Sequence, residues 1–409
     1  MWSILSVGEV HTDTMQQRLN KEISYFAKSN FRTTHTTFGI WQKDRLLHTY
    51  IIGKTGVGKS NLLATFILQD IYHGRGLALF DVHGDLLQTI LKHIPKERQK
   101  DIVYLNITDP ELIYRYNPLR RVSIEKRSLV ASGILETFQK LWKGAWGVKL
   151  EHILRYVILT LLDQPQAYMN DIIRILNDSN YRNACMRNVR ANEITDFWQH
   201  EFPKFTKNDL IPVLNKVGAF LVHPASKRFL VDNKKDISMR ACMDTSKIVL
   251  INISKGSIGN DVAKLIGSLL LNAIAFSAFS RSDQSEDERV PFHVFLDEFH
   301  NYTNPSLVTM LSELRKYKVS LTMAHQYLNQ LDADIRNAVL GNVGTIISFR
   351  LGQHDAKYLE NECRPIFESS DFTNLENYEI YLKLMINGKP SKAFSAITFP
   401  FTWIHTLAK

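Results

Sequence analysis

The sequence predicts an α/β fold in which helices cover a mostly parallel sheet and an all-helical domain is inserted into the core. Short apolar runs alternate with helix-forming stretches before residue 124 and again after residue 235. The run 248–253 is almost continuously apolar, which is typical of a strand buried on both faces. Between these parts, apolar residues recur at helical spacing, namely Leu150, Ile153, Leu154, Val157, Ile158, Leu161 and Leu162.

The first half of the core is predicted to contain strands at 48–52, 76–81 and 102–105. A helix is predicted from residue 59 to about residue 72, after the first strand, because the apolar residues of this stretch would lie on one face of a helix. Residues 1–47 are predicted to form an N-terminal arm with an amphipathic helix around 15–26. The core itself then comprises residues 48–123 and 236–358.

The insertion spans residues 124–235, and its turns are marked by Pro165, Pro203, Pro212 and Pro224. The α/β pattern then resumes. Further strands are predicted at 248–253, 294–296, 319–323 and 345–349, and helices near 262–279, 306–317 and 335–340. Residues 359–409 form a C-terminal segment, in which 378–386 and 393–399 flank Asn387-Gly388 as a β-hairpin.

Composition narrows the class of protein. With 409 residues, 44% of them hydrophobic, the chain can bury a large core in two or three structural units. No run approaches 18 uninterrupted apolar residues, and the polar N-terminus does not resemble a signal peptide, so we expect no transmembrane segment and no secretion. Cys185, Cys242 and Cys363 are isolated and odd in number, which argues against disulfides and a zinc site.

The formal net charge of +9 makes a polyanionic partner plausible. Basic residues cluster in three patches, although such patches are often only solvated surfaces. The patches are Lys92, Lys96, Arg98 and Lys100; Arg115, Arg120, Arg121, Lys126 and Arg127; and Lys227, Arg228, Lys234 and Lys235.

The strongest motif is a complete G-x-x-x-x-G-K-S loop between a predicted strand and a predicted helix. Its residues are Gly53, Lys54, Thr55, Gly56, Val57, Gly58, Lys59 and Ser60. The glycines let successive backbone N–H groups approach a polyphosphate, Lys59 reaches the β and γ phosphates, and the Ser60 hydroxyl binds Mg²⁺. The motif therefore predicts a site for a nucleoside triphosphate, ATP, with Mg²⁺.

The run 294–298 ends a predicted buried strand with two acids, Asp297 and Glu298. The two acids of such a pair can have different roles, in which Asp297 orients the Mg²⁺ shell and Glu298 polarises the attacking water. Hydrolysis is then expected in addition to binding. The alternative is a pair of acids that caps the next helix or forms salt bridges.

Two further residues are candidates for the same chemistry. Arg315 lies on the predicted helix after the acid pair and could neutralise charge on the γ-phosphate, while Gln326 follows a predicted strand and could sense that phosphate. Each signal is weak alone, because a helical arginine is often a surface residue and a glutamine after a strand often satisfies a turn.

Two other groups leave alternatives open. Asp81, His83 and Asp85 could suggest a metal cluster, but a turn histidine and a helix cap at Asp85 are favoured. The loop 254–260 could face a pore and offer Lys255 and main-chain amides to DNA phosphates, or could simply connect a strand to a helix.

In combination, these motifs resemble the HerA-FtsK superfamily, and within it the conjugative coupling-protein (TraD-like, type IV secretion) branch. The matching segments are 53–60, 80–85, 295–299, 314–317, 324–326 and 349–350, within a core from about 38 to 355. The resemblance implies a RecA-like (ASCE) P-loop NTPase that forms a ring, typically a hexamer, with nucleotide between subunits and DNA in the centre.

The resemblance also implies a role for each site residue. Lys59 and Ser60 would be the Walker A pair, Asp297 and Glu298 the Walker B pair, Gln326 the sensor, and Arg315 a finger that enters the neighbouring subunit's site. Arg350 is a second candidate for that finger. The strand before Gln326 would lie between the Walker A and Walker B strands.

The resemblance implies a DNA-stimulated ATPase that translocates DNA, with the cytoplasm, or the membrane periphery through a partner, as its location. Two alternatives remain, namely an ATPase scaffold or activator of a nuclease or defence effector and a protein-translocating secretion ATPase. The partners of the family include a secretion channel, a relaxase or a nuclease. Coupling proteins usually carry N-terminal transmembrane helices, which do not fit into the short arm, so the resemblance does not extend to docking on a secretion channel or a nuclease.

Overall fold

The computed structural model describes residues 20–30, 35–232 and 234–406. The strands in these residues are β1 (Ile23–Ser29), β2 (Thr37–Trp41), β3 (Thr49–Ile52), β4 (Gly76–Asp81), β5 (Ile102–Asn106), β6 (Tyr114–Arg115), β7 (Lys235–Asp236), β8 (Ile248–Asn252), β9 (Phe292–Leu296), β10 (Val319–His325), β11 (Thr345–Ser348), β12 (Glu379–Lys383), β13 (Met385–Ile386), β14 (Lys389–Pro390) and β15 (Phe394–Thr398).

The α-helices in the same residues are α1 (Gln42–Arg45), α2 (Lys59–Tyr72), α3 (Asp85–Leu91), α4 (Ile124–Leu141), α5 (Val148–Leu162), α6 (Asp171–Asn177), α7 (Ser179–Met186), α8 (Asn192–Asp196), α9 (Lys207–Val222), α10 (Pro224–Leu230), α11 (Met239–Asp244), α12 (Lys255–Ile258), α13 (Asn260–Phe279), α14 (Ser306–Glu313), α15 (Ala333–Asn342), α16 (Gln353–Cys363) and α17 (Ser369–Asn374). Short 3-10 segments connect several of them, including Leu314–Tyr317 after α14 and Phe401–Thr406 at the C-terminal end.

The centre of the fold is one sheet of eleven strands, counted over the described residues, in the order β2-β1-β15-β12-β11-β3-β10-β9-β4-β8-β5. From β11 to β5 all neighbouring strands run parallel. The strands β12, β15, β1 and β2 continue the sheet with antiparallel pairings. The prediction of a mostly parallel α/β sheet is confirmed.

Helices cover both faces of this sheet. Side chains alternate along β3, so that Tyr50 and Ile52 join one buried cluster while Ile51 joins another. The Ile51 cluster contains the apolar face of α2, including Leu62 and Leu63. The other cluster runs continuously from α13 into the insertion, so the insertion shares the core of the sheet domain.

Helices α4 to α10 form the insertion, and they lie between β6 and β7, which pair in parallel. The guanidinium of Arg115 on β6 binds the carboxylate of Asp236 on β7, with Nε 2.6 Å from Oδ1. The chain therefore leaves and re-enters the core at one place.

Helix α4 packs closely on α13 of the core. A Cβ atom at Gly133 would lie 2.6 Å from Cζ of Phe276, so the glycine permits this approach. The Asn272 side-chain amide donates to the carbonyl of Gly133 (2.9 Å) and to the Thr137 hydroxyl (3.1 Å). These buried hydrogen bonds fix the position of α4 against the sheet domain.

The prediction of a helix around 15–26 is wrong where the structure describes it. Residues 23–29 form β1, which pairs with β2 and β15, while residues 15–19 lie outside the described residues. The run Ile23–Ala27 is buried throughout because it lies inside the sheet between two neighbours. Aromatic and β-branched residues favour this environment, and their burial there overrides the apparent helical spacing.

The second basic patch is smaller than predicted, since two of its members are buried in ion pairs. Arg115 binds Asp236, and the Arg127 guanidinium donates to the carboxylate of Asp163. Neither charge is free for a polyanion. Arg120, Arg121 and Lys126 remain at the surface.

One helical stretch in the described residues, Asn260–Asp283, is long and apolar enough to cross a membrane by length and hydropathy, but 83% of its apolar 18-residue window is buried inside the fold. Its hydrophobic character therefore matches a core helix, as predicted for this region. The three cysteines are free and buried.

A buried carboxylate anchors α2, the helix that follows the phosphate loop. Asp70 accepts two hydrogen bonds from Arg45 (2.6 and 2.8 Å) and one from Arg75 (2.9 Å). Burial alone would raise the pKa of Asp70, but Arg45, together with His293 and Arg75, lowers it well below its ordinary value. The carboxylate is therefore ionised at neutral pH and holds both guanidinium groups.

We expect Asp70→Asn to lower the free energy of unfolding by about 3 kcal/mol, because it leaves buried arginine charge without its counter-ion. Urea denaturation at neutral pH measures this, with the exposed Asp287→Asn as control. Since the native pKa is depressed, the stabilisation is present above the ordinary carboxyl pKa of 3.8 and is lost as the pH falls below it. Equal stability of both variants at neutral pH would contradict the prediction.

Candidate active site

The predicted phosphate loop lies at the edge of the sheet where the parallel strands end. It connects β3 to α2, and Gly56 and Gly58 adopt φ values of 80° and 121°. A Cβ atom at Gly53 would lie 2.6 Å from Cβ of Phe349, so this glycine is required by close packing. The loop therefore has the backbone conformation that turns its N–H groups toward an anion at the start of a helix.

Lys59 folds back over this loop. Its ammonium group donates to the carbonyl oxygens of Gly53 (2.7 Å) and Lys54 (2.8 Å). Burial lowers the pKa of Lys59, and the nearby carboxylates of Glu298 and Asp297 oppose that shift. The Lys59 ammonium group is thus held at the loop by hydrogen bonds to two carbonyl oxygens and by the negative charge of Asp297 and Glu298.

The acid pair follows β9, two strands from β3 in the sheet. Asp297 and Glu298 are both buried, and Glu298 has a left-handed backbone with φ 48°. Burial, together with the nearby charges of Asp81 and Glu298, raises the pKa of Asp297 to about 7. Three carboxyl groups thus share a site in which Lys59 is the nearby cation.

This excess of negative charge fits a divalent cation. Mg²⁺ takes oxygen ligands and usually binds one or two carboxylates together with phosphate oxygens of a nucleotide. Asp297 supplies such a carboxylate, and Ser60 supplies an exposed hydroxyl at the start of α2. Among the described residues no cluster of three or more His, Cys, Asp and Glu forms a metal site by itself.

Gln326 reaches the acid pair directly. Its side-chain amide donates to Oε1 of Glu298 at 2.8 Å. The contact is possible because β10, which ends at His325, lies between β3 and β9, as the resemblance predicted. Oε2 of Glu298 is buried and accepts no hydrogen bond from the described residues, so one oxygen is oriented and the other is free.

Two histidines that lie beside Glu298 and Gln326 were not predicted from the sequence to belong to the site. His325 accepts or donates a 2.6 Å hydrogen bond with the Tyr50 hydroxyl, and its pKa is lowered to about 3 by burial. Nδ1 of His300 lies 3.5 Å from Oε2 of Glu298, and burial lowers the pKa of His300 to about 4. Both rings are therefore neutral at physiological pH, so neither neutralises Glu298. The sequence shows His300 near Glu298 and His325 next to Gln326, but it does not show which residues they contact.

Asp81 has a structural role. Its carboxylate accepts hydrogen bonds of 2.9 Å each from the backbone N–H groups of His83, Gly84 and Leu87. It therefore caps the turn and the first turn of α3. The favoured interpretation of this segment as turn and cap is supported, although the capping side chain is Asp81 and the predicted cap, Asp85, is the first residue of the helix.

Arg315 lies far from the phosphate loop of its own chain. It belongs to the 3-10 segment just before β10, at the edge where the parallel strands begin. The seven residues of β10 place the two edges on the order of 20 Å apart, at ~3.3 Å per residue. The Arg315 side chain is exposed and makes no hydrogen bond or ion pair with any described residue.

Arg350, the second finger candidate, lies instead beside its own phosphate loop. Its carbonyl accepts a hydrogen bond from the N–H of Lys54 (3.0 Å), and its guanidinium donates to the Leu375 carbonyl and the Asn377 side chain, both at 3.1 Å. This position disfavours Arg350 as a residue that enters a neighbour's site.

The insertion contacts both segments that follow the acidic and glutamine motifs. The Lys140 ammonium on α4 donates to the Thr303 hydroxyl and to Asp332, whose carboxylate also receives Lys143 (3.4 Å). Gln330, between Gln326 and Asp332, accepts from the N–H groups of Gln326 and Tyr327 at 3.2 Å each. Hydrogen bonds therefore join α4 to the segment that follows each motif.

Two family models match this chain. The model described as the central domain of helicase HerA matches residues 42–274, more than half of the chain. The model described as the TraM recognition site of TraD and TraG matches residues 291–361, which contain β9, β10 and both motifs after them. No curated protein matches the sequence significantly.

Solved structures share the fold. The plasmid coupling protein TrwB in complex with ADP and Mg²⁺ aligns with a TM-score of 0.65 at 15% identity, over 89% of this chain and 88% of TrwB. VirB4 of Thermoanaerobacter pseudethanolicus aligns with a TM-score of 0.58 at 15% identity, over 92% of this chain and 96% of VirB4. At this level of identity the similarity shows a common RecA-like fold.

Proposed function

The chain belongs to the family of the HerA central domain, as a HerA-FtsK/TraD-like P-loop ATPase, and we propose that it hydrolyses ATP with Mg²⁺ to move DNA through a homo-hexameric ring. The observation that carries the proposal is a site divided between two edges of the sheet. Lys59, Glu298 and Gln326 meet at one edge, while Arg315 stands unpartnered at the other. A neighbouring subunit that presents its Arg315 would complete the site.

In this proposal Lys59 exchanges its two loop carbonyls for the β and γ phosphates of ATP. The backbone N–H groups of the loop bind the phosphates, and Ser60 and Asp297 would hold Mg²⁺. When bound, Mg²⁺ neutralises phosphate charge and orients the γ-phosphate for in-line attack.

Glu298 polarises the attacking water and accepts its proton. Its free Oε2 is suited to this role because Oε1 is held by Gln326 and the neighbouring His300 is neutral. Gln326 in turn senses the γ-phosphate, and its response reaches Glu298 through the same hydrogen bond. Charge that develops on the transferred phosphate is stabilised by Arg315 of the adjacent subunit.

Hydrolysis would be coupled to movement through the contacts of α4. Loss of the γ-phosphate alters the position of Gln326, and the connected residues Gln330 and Asp332 transmit the change to Lys140 of the insertion. DNA would be contacted by the loop that contains α12, which follows β8 and exposes Gly256 and Gly259 beside Lys255. Small residues let a phosphate approach the backbone there.

The test is the rate of ATP hydrolysis with and without DNA. A translocase should hydrolyse ATP several-fold faster when DNA is added, and the stimulation should fall steeply between 50 and 200 mM salt because phosphate contacts release counter-ions. Lys255→Ala should weaken the stimulation, with Lys389→Ala, exposed on the hairpin, as the matched control.

The other outcomes identify the alternatives. Absence of stimulation at any salt concentration would contradict DNA translocation and would favour a scaffold for a nuclease or effector. Stimulation by a protein substrate in place of DNA would favour a secretion ATPase.

A further inference from the structure

The C-terminal segment, for which the sequence suggested no role, packs against the phosphate loop. The N–H of Tyr378 donates to the carbonyl of Val57 at 2.8 Å. Asn61, just after Ser60, binds the Phe399 carbonyl (2.7 Å) and the Phe401 N–H (3.0 Å) through its side chain. The segment thus borders both the loop and the first turn of α2.

Tyr378 has an unusual backbone conformation. Its φ is 72°, in the left-handed region that an aromatic residue rarely adopts. Its carbonyl accepts from the N–H (2.9 Å) and hydroxyl (3.1 Å) of Thr398, so hydrogen bonds hold the residue on both sides. Such strained residues are concentrated at ligand sites, where the surrounding structure holds them in place.

The ring of Tyr378 lies over Gly58. A Cβ atom at Gly58 would come within 2.9 Å of Cδ1 of Tyr378, so the ring covers the position where this loop residue lacks a side chain. Tyr378 is nevertheless 48% exposed. Within the described part of the chain its ring has no aromatic or cationic partner and its hydroxyl has no hydrogen bond.

The turn before Tyr378 is tied to the loop a second time through Arg350. The guanidinium of Arg350 binds Leu375 and Asn377, while its carbonyl accepts from Lys54. The phosphate loop is therefore fixed to the C-terminal segment at Lys54 and at Val57. An exposed aromatic ring is held rigidly beside a loop built for phosphates.

We infer that Tyr378 forms the nucleobase subsite of the nucleotide site, with its ring stacked on the purine of the bound triphosphate. The inference deepens the proposed function and rests on its ATP binding, but not on DNA or on hydrolysis. Stacking uses the π-face of a base and does not read its hydrogen-bonding edge. ATP and GTP should therefore depend on Tyr378 to the same extent.

The test measures equilibrium binding by calorimetry, with Mg²⁺ and without DNA, in the Glu298→Gln background to prevent turnover. Mg²⁺–ATP, Mg²⁺–GTP and Mg²⁺–tripolyphosphate are compared. Tyr378→Ala should weaken both nucleotides by about 10-fold and leave tripolyphosphate unchanged, because only the nucleotides carry a base. Tyr378→Phe should bind all three like the parent, and Tyr358→Ala, an exposed tyrosine on α16, is the matched control.

Equal weakening of ATP and tripolyphosphate by Tyr378→Ala would overturn the inference, because the ring would then only position the phosphate loop. Unchanged binding of all three ligands would overturn it as well. If Tyr378→Ala does not fold, Tyr378→Trp provides the test. Relative to the parent, its added fluorescence should be quenched by ATP but not by tripolyphosphate, and identical responses to both would contradict stacking.

These outcomes separate the inference from the proposed function. If the protein binds ATP through Tyr378 but its ATP hydrolysis does not respond to DNA, the nucleobase subsite is supported and only the translocase proposal is contradicted.

Discussion

Glu298→Gln should reduce the rate of ATP hydrolysis by about 100-fold or more while ATP binding is retained. The amide keeps an oxygen that can accept the hydrogen bond from Gln326, so the geometry around β9 and β10 is preserved. It cannot accept the proton of the attacking water. Phosphate release under saturating ATP measures the rate, and calorimetric titration with ATP measures binding.

The matched control is Glu193→Gln, an exposed glutamate on α8 of the insertion, which should hydrolyse ATP at the parental rate. A Glu298→Gln protein that turns over at the parental rate would show that Glu298 does not activate water. In that case Gln326 and Glu298 would form only a structural contact between two strands.

Arg315→Ala should reduce hydrolysis by about 1,000-fold, within the range measured for arginine fingers in phosphoryl transfer. Because Arg315 lies at the edge opposite the phosphate loop, its own subunit's site should still bind ATP. Lys316→Ala, an exposed neighbour paired with Glu313, should have little effect and serves as the control. The rate is measured at protein concentrations where assembly has been verified.

Mixing experiments can show whether Arg315 acts on a neighbour. Subunits with Arg315→Ala retain Lys59, and subunits with Lys59→Ala retain Arg315, so mixed assemblies should contain some complete sites and regain activity. Mixing Lys59→Ala with Glu298→Gln should restore nothing, because both residues must come from one chain. No recovery in verified mixed assemblies of the first kind would contradict a role in trans.

Local signals predicted most elements well. The phosphate loop, the start of α2 at Lys59 and the hairpin at Asn387-Gly388 follow from residues that are close in sequence. Gly56, Gly58, Asn387 and Gly388 all adopt positive φ, as turn residues of these types predict. Strand β1 was missed because its burial depends on β15, which lies more than 360 residues away along the chain.

Contacts within the site were less predictable. The motifs containing Glu298 and Gln326 were recognised, but the hydrogen bond between them depends on β10 lying next to β9 in the sheet. Tyr378 carries no motif, and its importance appears only where β12 brings it over Gly58. That the Arg315 side chain has no hydrogen bond or ion pair with the described residues could not be predicted either, because a sequence does not show which side chains lack partners.

The sequence by itself determined the family, the α/β class, and the residues that bind phosphate and Mg²⁺ in the proposed mechanism. These depend on short spacings that set a strand, a glycine turn and a helix in succession. Only the tertiary structure decided that Glu298 is oriented by Gln326, that Arg315 lies at the edge of the sheet opposite its own site, and that the C-terminal segment borders the phosphate loop. Those relations arise from the order of strands in the sheet, which brings together residues that are distant along the chain.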